Sequence, residues 1–222
     1  MACRDIDISR GWSSAMHFSP LQAQEPDLLN GFVTITQNKT GWITRKVINV
    51  YPSLTLILGG AASGKSAFSE QLVVSNGKSR VYVATSQVFD DEIRLKVEQH
   101  ITQRGPDWTT IEEPLDLGPP LSGLTENQIC LIDCATMWLS NHLLAGNNLE
   151  TAQAELLQAL RACPAPVVIV SNEVGQGIVP DTALSRRFRE AQGRLNIALA
   201  AQADLVVQVT AGLPLVLKGQ LP

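Results

Sequence analysis

The chain has 222 residues, of which 45% are hydrophobic and 17% are charged, and its formal net charge is −4. This composition is typical of one soluble globular domain with a full core, and an acidic balance without a Lys/Arg run argues against nucleic acid as a partner. We expect a cytoplasmic protein without a membrane span, because no apolar stretch approaches membrane-spanning length, the first residues lack a signal-peptide core and the cysteines form no C-x-x-C pair.

Residues 1–52 are expected to form an N-terminal appendage, because they do not share the pattern of the remaining chain. A polar stretch is followed by FVTITQNKTGWITRKVINV, which is compatible with a β-hairpin around residues 37–41. Two alternatives stay open, namely a poorly ordered segment and sequence upstream of a true start at a later methionine such as Met16. The pattern changes at Pro52, so residues 53–222 are predicted to form the catalytic domain described next.

The segment LTLILGGAASGKSAF, residues 54–68, carries a phosphate-binding motif between a predicted strand and a predicted helix. Its pattern is G-x-x-x-x-G-K-[ST], and this context disfavours the alternative of a Gly-rich turn with a chance Lys-Ser. The glycines let backbone N–H groups converge on an anion at the positive end of the helix, the lysine adds a full charge, and the serine hydroxyl can hold Mg²⁺. The predicted phosphate-binding residues are Gly59, Gly60, Ala61, Ala62, Ser63, Gly64, Lys65 and Ser66.

Strands and helices alternate after this motif, and the alternation predicts the fold class. Nearly all-apolar strands such as VYVAT and ICLID indicate an α/β fold of the phosphate-loop NTPase type, with a mostly parallel sheet and helices on both faces. A C-terminal antiparallel edge strand is expected after the parallel ones, and ligands of such sheets bind beyond the carboxyl ends of the strands. The predicted strands are 54–58, 80–85, 128–133, 166–171, 204–209 and 213–218, and the predicted helices are 64–75, 90–104, 135–145, 149–162 and 185–202.

Polar residues end two of these strands and are candidates for nucleotide or metal contacts. Asp133 follows the apolar residues of ICLID, where it can hold Mg²⁺ directly or through water, cap the helix at 135–145, or do both. Thr85 and Ser86 end the strand VYVAT, where their hydroxyls and backbone either reach a nucleotide or form an ordinary turn.

The strand PVVIV is also followed by polar residues, Asn172 and Glu173. Gly175 and Gly177 lie shortly after them, which indicates a loop that passes close to a ligand. The alternative is a plain connection between a strand and a helix.

The segment DDEIRLKVEQHITQR, residues 90–104, is predicted to be a helix with one apolar face. Asp90 suits the N-cap, and the acids beside it favour the first turn more than they favour a metal site. His100 and Arg104 lie one turn apart on the inward face. A histidine in such a place is commonly a hydrogen-bonded core residue, but an imidazole beside a guanidinium also suits nucleophilic attack on a phosphate.

In the order of its segments, the chain closely resembles the bifunctional adenosylcobinamide kinase / adenosylcobinamide-phosphate guanylyltransferase family of cobalamin biosynthesis. The resemblance covers about 54–218, and its most specific segments are VYVATSQVFDDEIRLKVEQHITQRGPDW and VSNEVGQGIVPDTALSRRFREAQGRLN. It implies phosphorylation of the aminopropanol hydroxyl of adenosylcobinamide with GTP or ATP. It also implies transfer of GMP from GTP to adenosylcobinamide phosphate through a guanylyl-histidine, and a homo-oligomer such as a trimer.

The resemblance also implies roles for single residues. His100 matches the guanylylated histidine, and it follows Gln99 where family members often show a second histidine. Asp133 stands where the family commonly has a longer Glu, and Ala62 stands where the family often has an Arg that adds a phosphate contact. The further GTP contacts implied by the resemblance are Ala84, Thr85, Ser86, Ile101, Thr102, Gln103, Arg104, Glu112 and Asp133.

Two other classes of function stay open on the residues alone. A simple small-molecule kinase would use the phosphate loop, and His100 would then be a core residue. A non-catalytic nucleotide-binding protein would bind GTP without turnover, with the chemistry lost through Ala62 and Asp133.

Overall fold

The structure is a computed structural model, and it describes residues 31–37, 43–49, 51–86 and 107–222, the first two ranges as backbone. The predicted helix at 90–104, which contains His100, lies outside these ranges.

The described residues form nine strands and five helices. The strands are β1 Gly31–Gln37, β2 Ile43–Asn49, β3 Leu54–Gly59, β4 Ser79–Ala84, β5 Trp108–Glu112, β6 Gln128–Asp133, β7 Val167–Asn172, β8 Leu205–Thr210 and β9 Leu213–Lys218. The helices are α1 Lys65–Ser75, α2 Gly118–Ser122, α3 Ala135–Leu144, α4 Leu149–Ala162 and α5 Ala183–Gln202.

Seven strands form one mixed sheet in the order β5-β4-β6-β7-β3-β8-β9. The first six are parallel, and β9 pairs antiparallel with β8 at the edge. The strand that leads into the phosphate loop, β3, therefore lies between β7 and β8, and β7 separates it from β6. This order fixes which strand ends lie beside the loop.

Both faces of the sheet are covered by helices, which explains the nearly continuous apolar runs in the central strands. On one face, Leu72 and Val73 of α1 pack against a core that includes Val168 and Val170 of β7. On the other face, residues of α2, α3, α4 and α5 pack against alternate strand positions such as Ile169. The predicted α/β fold with helices on both faces of a mostly parallel sheet is confirmed, and so is the antiparallel edge strand.

Helix α4 shows how local sequence sets the ends of an element. The side chain of Asn148 accepts hydrogen bonds from the backbone N–H groups of Glu150 and Thr151, which satisfies two amides of the first turn. Leu156 and Leu160 lie buried on one side of the helix, at helical spacing. No helix in the described part of the chain is both long enough and apolar enough to cross a bilayer.

Strands β1 and β2 pair antiparallel as a separate sheet, with Gln37 opposite Ile43, in agreement with the predicted hairpin. The division of the chain at Pro52 into two units stays a prediction. Most other predicted elements lie within two residues of the observed bounds. The strand β5 and the short helix α2 were not predicted. The strand β5 lies at the edge of the sheet and all its residues are exposed or half-buried, so it lacks the apolar pattern of a central strand.

Candidate active site

The phosphate loop connects β3 to α1 through residues that adopt special backbone conformations. Gly64 has φ 91°, a left-handed conformation that favours glycine, and Ala62 has φ 54°. A side chain at Gly59 would collide with the hydroxyl oxygen of Ser63 and with the carbonyl oxygen of Val209. The glycines predicted to shape a phosphate cradle are therefore required by the observed geometry at positions 59 and 64.

Two neighbouring segments hold the loop in place through backbone hydrogen bonds. The N–H of Gly212, in the turn between β8 and β9, donates to the carbonyl oxygen of Ser63 at 2.8 Å. The N–H of Glu173, directly after β7, donates to the carbonyl oxygen of Gly59 at 3.1 Å. The loop is thus fixed on both sides, by the strand ends that flank β3.

The side chain of Lys65, the charged residue of the motif, lies against the phosphate loop. The ammonium group of Lys65 donates a hydrogen bond to the carbonyl oxygen of Gly60 at 3.1 Å. Helix α1 begins at Lys65 without a side-chain cap, and its first turn contains no acidic residue. The N-terminal amides of α1 and one lysine therefore present positive charge at this position, as an anion site requires.

Asp133 lies at the carboxyl end of β6, on the face of the sheet that α1 covers. Its neighbours Ile129 and Leu131 point into the same α1-side core, and strand alternation places Asp133 with them. The hydroxyl of Tyr82 donates a hydrogen bond to Oδ2 of Asp133 at 3.1 Å. The alternative that Asp133 caps the following helix is wrong, because the N-cap of α3 is Cys134 and no side chain caps it.

The electrostatics of Cys134 link Asp133 to Lys65. Burial, followed by the negative charge of Asp133, raises the pKa of the Cys134 thiol to about 11. The positive charge of Lys65 acts in the opposite direction. Both charges therefore act at the end of β6, and the thiol itself stays protonated at neutral pH.

Thr85 is fully buried, and its side chain is used for structure. Its hydroxyl donates to the carbonyl oxygen of Cys134 and accepts from the N–H of the same residue, both at 2.8 Å. The side-chain amide of Asn141 donates to the carbonyl oxygen of Thr85 at 2.7 Å. A nucleotide contact at this strand end would therefore involve Ala84 or Ser86 more readily than the hydroxyl of Thr85.

Glu112 lies at the end of β5, at the far edge of the sheet from the phosphate loop. Four strand spacings separate β5 from β3, a distance of about 19 Å. Glu112 and Lys65 are therefore too far apart to hold the same phosphate group. Residues 101–104, predicted as further GTP contacts with His100, lie outside the described ranges, and their roles stay predictions.

Two features beside the loop were not among the predicted site residues. The sequence predicts only that Asn172 ends a strand before a loop that passes close to a ligand, whereas the sheet places it directly opposite Gly59 in the pairing of β7 with β3. Gly212 lies between two predicted strands, where a glycine indicates a hairpin turn but not a contact with the phosphate loop. The contact of this turn with the phosphate loop depends on strand order, which the sequence does not state.

Comparison with known proteins identifies the family of this chain. The family model described as CobU, cobinamide kinase / cobinamide phosphate guanyltransferase, matches residues 55–217. The chain belongs to this family.

Three relatives agree with the family match. The bifunctional adenosylcobalamin biosynthesis protein CobP of Pseudomonas aeruginosa is 41% identical in a match 168 residues long, which covers 74% of this chain and 97% of that protein. The bifunctional adenosylcobalamin biosynthesis proteins CobU of Salmonella typhimurium and Escherichia coli are 38% and 35% identical in matches 181 residues long, which cover 74% of this chain and 99% of each relative.

The part of the chain that matches the CobU family extends from β3 to β9 and so includes the whole seven-stranded sheet. All predicted site residues, from Gly59 to Asp133, lie within this region. The strands β1 and β2 precede it. The family match and the phosphate site therefore concern the same unit of structure.

Proposed function

We propose that this chain catalyses two consecutive steps in assembly of the cobalamin nucleotide loop, as a cytoplasmic enzyme. The first step phosphorylates the aminopropanol hydroxyl of adenosylcobinamide with GTP or ATP. The second step transfers GMP from GTP to adenosylcobinamide phosphate and gives adenosylcobinamide-GDP. The observation that carries the proposal is the phosphate loop held by the backbone of Gly212 and Glu173, with Lys65 against it and Asp133 at the end of β6, in a member of the CobU family.

In the kinase step, the work of the protein is positioning and charge stabilisation. The backbone amides of 59–66 bind the outer phosphates, and Lys65 exchanges the carbonyl oxygen of Gly60 for a phosphate oxygen. The alcohol oxygen attacks the γ-phosphorus, the bond from that phosphorus to the β–γ bridging oxygen breaks, and the nucleoside diphosphate leaves. The proton of the alcohol passes to phosphate or solvent.

In the transferase step, neutral His100 attacks the α-phosphorus of GTP, and pyrophosphate leaves. The phosphate of the corrinoid then displaces the histidine, so one difficult transfer becomes two easier ones. Lys65 and Arg104 stabilise the charge that develops on the phosphates. The support for His100 and Arg104 is their helical spacing and the family resemblance. Ala84, Ser86 and Glu112 contact the nucleotide away from its outer phosphates, at the ends of β4 and β5.

Mg²⁺ fits this site as an ion held by few protein ligands together with substrate phosphates. Ser66 and Asp133 would hold the ion. Tyr82 donates a hydrogen bond to Oδ2 of Asp133, which leaves the other carboxylate oxygen, Oδ1, for the ion. Those residues include no group of three His, Cys, Asp or Glu side chains that would hold a metal alone. When bound, the ion neutralises charge on the transferring phosphoryl group.

We further propose that the chain forms a homo-oligomer such as a trimer. The edge strand β9 supports this, because Leu213, Leu215 and Leu217 alternate along it and are 73%, 60% and 53% exposed. An exposed apolar edge strand is a ready surface for a second chain. Light scattering should give a particle mass that is a multiple of the 24.0 kDa chain mass. The substitution Leu215→Lys should lower this particle mass. A wild-type monomer would contradict this part of the proposal.

The two activities are tested separately with GTP labelled at different phosphates. Purified protein, Mg²⁺ and adenosylcobinamide should transfer label from γ-labelled GTP to the corrinoid. With adenosylcobinamide phosphate, label should move from α-labelled GTP to the corrinoid, with release of pyrophosphate. Transfer of the γ-label alone would indicate a simple kinase. Binding of GTP without either transfer would indicate a non-catalytic nucleotide-binding protein.

A further inference from the structure

The side chain of Asn172 lies between the two parts of the phosphate site. Asn172 ends β7, the strand between β6, which ends at Asp133, and β3, which ends at Gly59. Val168 and Val170 of β7 point into the core beneath α1, and strand alternation places Asn172 on the same face. This is the face that also carries Asp133 and the N-terminus of α1.

The backbone of Asn172 is held on both of its polar groups. Its N–H donates to the hydroxyl oxygen of Thr136 at 2.8 Å, and its carbonyl oxygen accepts from the side-chain amide of Asn196 at 3.1 Å. The next residue, Glu173, donates its N–H to the carbonyl oxygen of Gly59. The end of β7 is therefore fixed to α3, α5 and the phosphate loop.

The preceding residue anchors the opposite face of the same strand end. Ser171 is fully buried, and its hydroxyl donates to Oδ1 of Asn196 at 2.6 Å. The side-chain amide of Gln192 donates to the hydroxyl oxygen of Ser171 at 2.9 Å. These contacts lie towards α5 and do not involve the side chain of Asn172.

The side-chain oxygen of Asn172 takes part in none of the hydrogen bonds described for this strand end. Oδ1 is buried and has no hydrogen-bond partner within the described residues. Leaving a buried acceptor unpaired is unfavourable, because the group loses its hydrogen bonds to water, so such a group requires an explanation. The hydroxyl oxygen of Ser63, in the phosphate loop, is also buried and unpaired in that part of the chain. Two unused oxygen atoms thus lie at the loop and at the strand end beside it.

We propose that Asn172 is a catalytic residue of the kinase step, whose Oδ1 accepts a hydrogen bond from the hydroxyl group of the alcohol substrate. An acceptor oxygen repels phosphate oxygens, but it pairs with the hydroxyl that must reach the γ-phosphorus. The amide is neutral and takes no proton, so it orients the attacking oxygen while the new O–P bond forms and the bond to the leaving diphosphate breaks. This inference rests on the kinase activity proposed above.

The test compares two acceptors of the same phosphoryl group. Initial rates of γ-phosphoryl transfer are measured to adenosylcobinamide and to water, together with GTP affinity, for the wild type and Asn172→Ala. Loss of an orienting contact should lower transfer to the corrinoid by about 10²-fold. GTP affinity and slow hydrolysis should stay close to the wild-type values, so the ratio of the two rates falls.

Ser171→Ala is the matched control, because it changes the adjacent residue on the opposite face. It should lower the midpoint of thermal unfolding but keep the ratio of corrinoid transfer to hydrolysis. An equal loss of this ratio in both variants would show that strand-end distortion is responsible, and would overturn the proposal. So would an equal fall in transfer and hydrolysis in Asn172→Ala, which would indicate a role at the phosphates or at a metal-bound water.

The outcome also separates this inference from the proposed function. If the wild type phosphorylates adenosylcobinamide and Asn172→Ala does so equally well, only the role of Asn172 is refuted. If the folded wild type binds GTP but never phosphorylates adenosylcobinamide, the kinase proposal fails and the role of Asn172 falls with it.

Discussion

The backbone N–H of Gly212 donates a hydrogen bond to the carbonyl oxygen of Ser63 at 2.8 Å, and this contact ties the β8–β9 turn to the phosphate loop. The turn also lies close to Gly64, because a β-carbon added at Gly64 would lie 3.0 Å from the α-carbon of Gly212. The edge hairpin therefore supports the conformation of the loop that we propose to bind the nucleotide.

The first prediction is that Gly212→Ala weakens GTP binding. Gly212 has φ 78°, and a side chain in this left-handed conformation costs about 1 kcal/mol, which the turn would relieve by moving. Losing the hydrogen bond to Ser63 should lower GTP affinity about three- to tenfold. Titration calorimetry measures the change directly.

Gly146→Ala is the control for backbone strain. Gly146 has φ 73°, and both glycines have open space where a side chain would be added. Gly146 follows α3, away from the phosphate loop. Both variants should lose similar stability, but Gly146→Ala should bind GTP like the wild type. Equal affinities for GTP in the two variants would contradict a supporting role for the β8–β9 turn.

The second prediction concerns Lys65→Ala, which should impair both half-reactions because both use the same phosphate cradle. Loss of one such stabilising contact costs about 2.7–4 kcal/mol of barrier, or 10² to 10³ in rate. Each activity is assayed separately at saturating substrate. If guanylyl transfer were unchanged, the α-phosphate of GTP would have to be held elsewhere.

The third prediction concerns the N-terminal region. A shortened chain that begins at Tyr51 should fold and keep activity, because Tyr51 packs on the α1-side core and its hydroxyl donates to the carbonyl oxygen of Leu72 at 3.3 Å. A chain that begins at Ser53 lacks this contact and should unfold at a lower temperature. Loss of the folded state in the Tyr51 chain would show that the β1–β2 hairpin is an integral part of the domain.

Much of the fold could be predicted because parallel strands buried on both faces have a strong sequence pattern. The run ICLID is such a strand, and it was placed correctly as β6. The run WTTIE was missed because its residues in β5 are mostly exposed or half-buried at a sheet edge. The sequence pattern of one strand does not indicate which strands lie beside it. The position of β7 between β6 and β3 could therefore be seen only in the structure.

Of the candidate site, likewise, the local parts could be predicted from the sequence, and the contacts between distant segments could not. The phosphate loop could be predicted because a local motif holds all its parts within eight residues. The contact of Gly212 with Ser63 and the place of Asn172 opposite Gly59 join distant segments. The cap role considered for Asp133 is wrong because the helix begins at Ala135, as predicted, and the residue directly before it is Cys134.

The fourth prediction tests the transferase step at its nucleophile. His100→Asn should abolish covalent labelling of the protein by α-labelled GTP but leave phosphorylation of adenosylcobinamide measurable. Asparagine is polar and of moderate size, so a helix should tolerate it, but its amide is no nucleophile. His142→Asn is the matched control, since His142 is a buried residue bonded to Leu115 and Asn147 and should have no part in labelling.

The most direct measurement of the central claim is the denatured chain after incubation with Mg²⁺ and α-labelled GTP. We predict that the wild type and His142→Asn carry label that is lost in mild acid and persists in alkali, as a phosphoramidate does, and that His100→Asn carries none. Acid-labile label on His100→Asn would contradict the assignment of the nucleophile. Absence of label on a wild type that binds GTP would contradict the guanylyl-transferase account altogether.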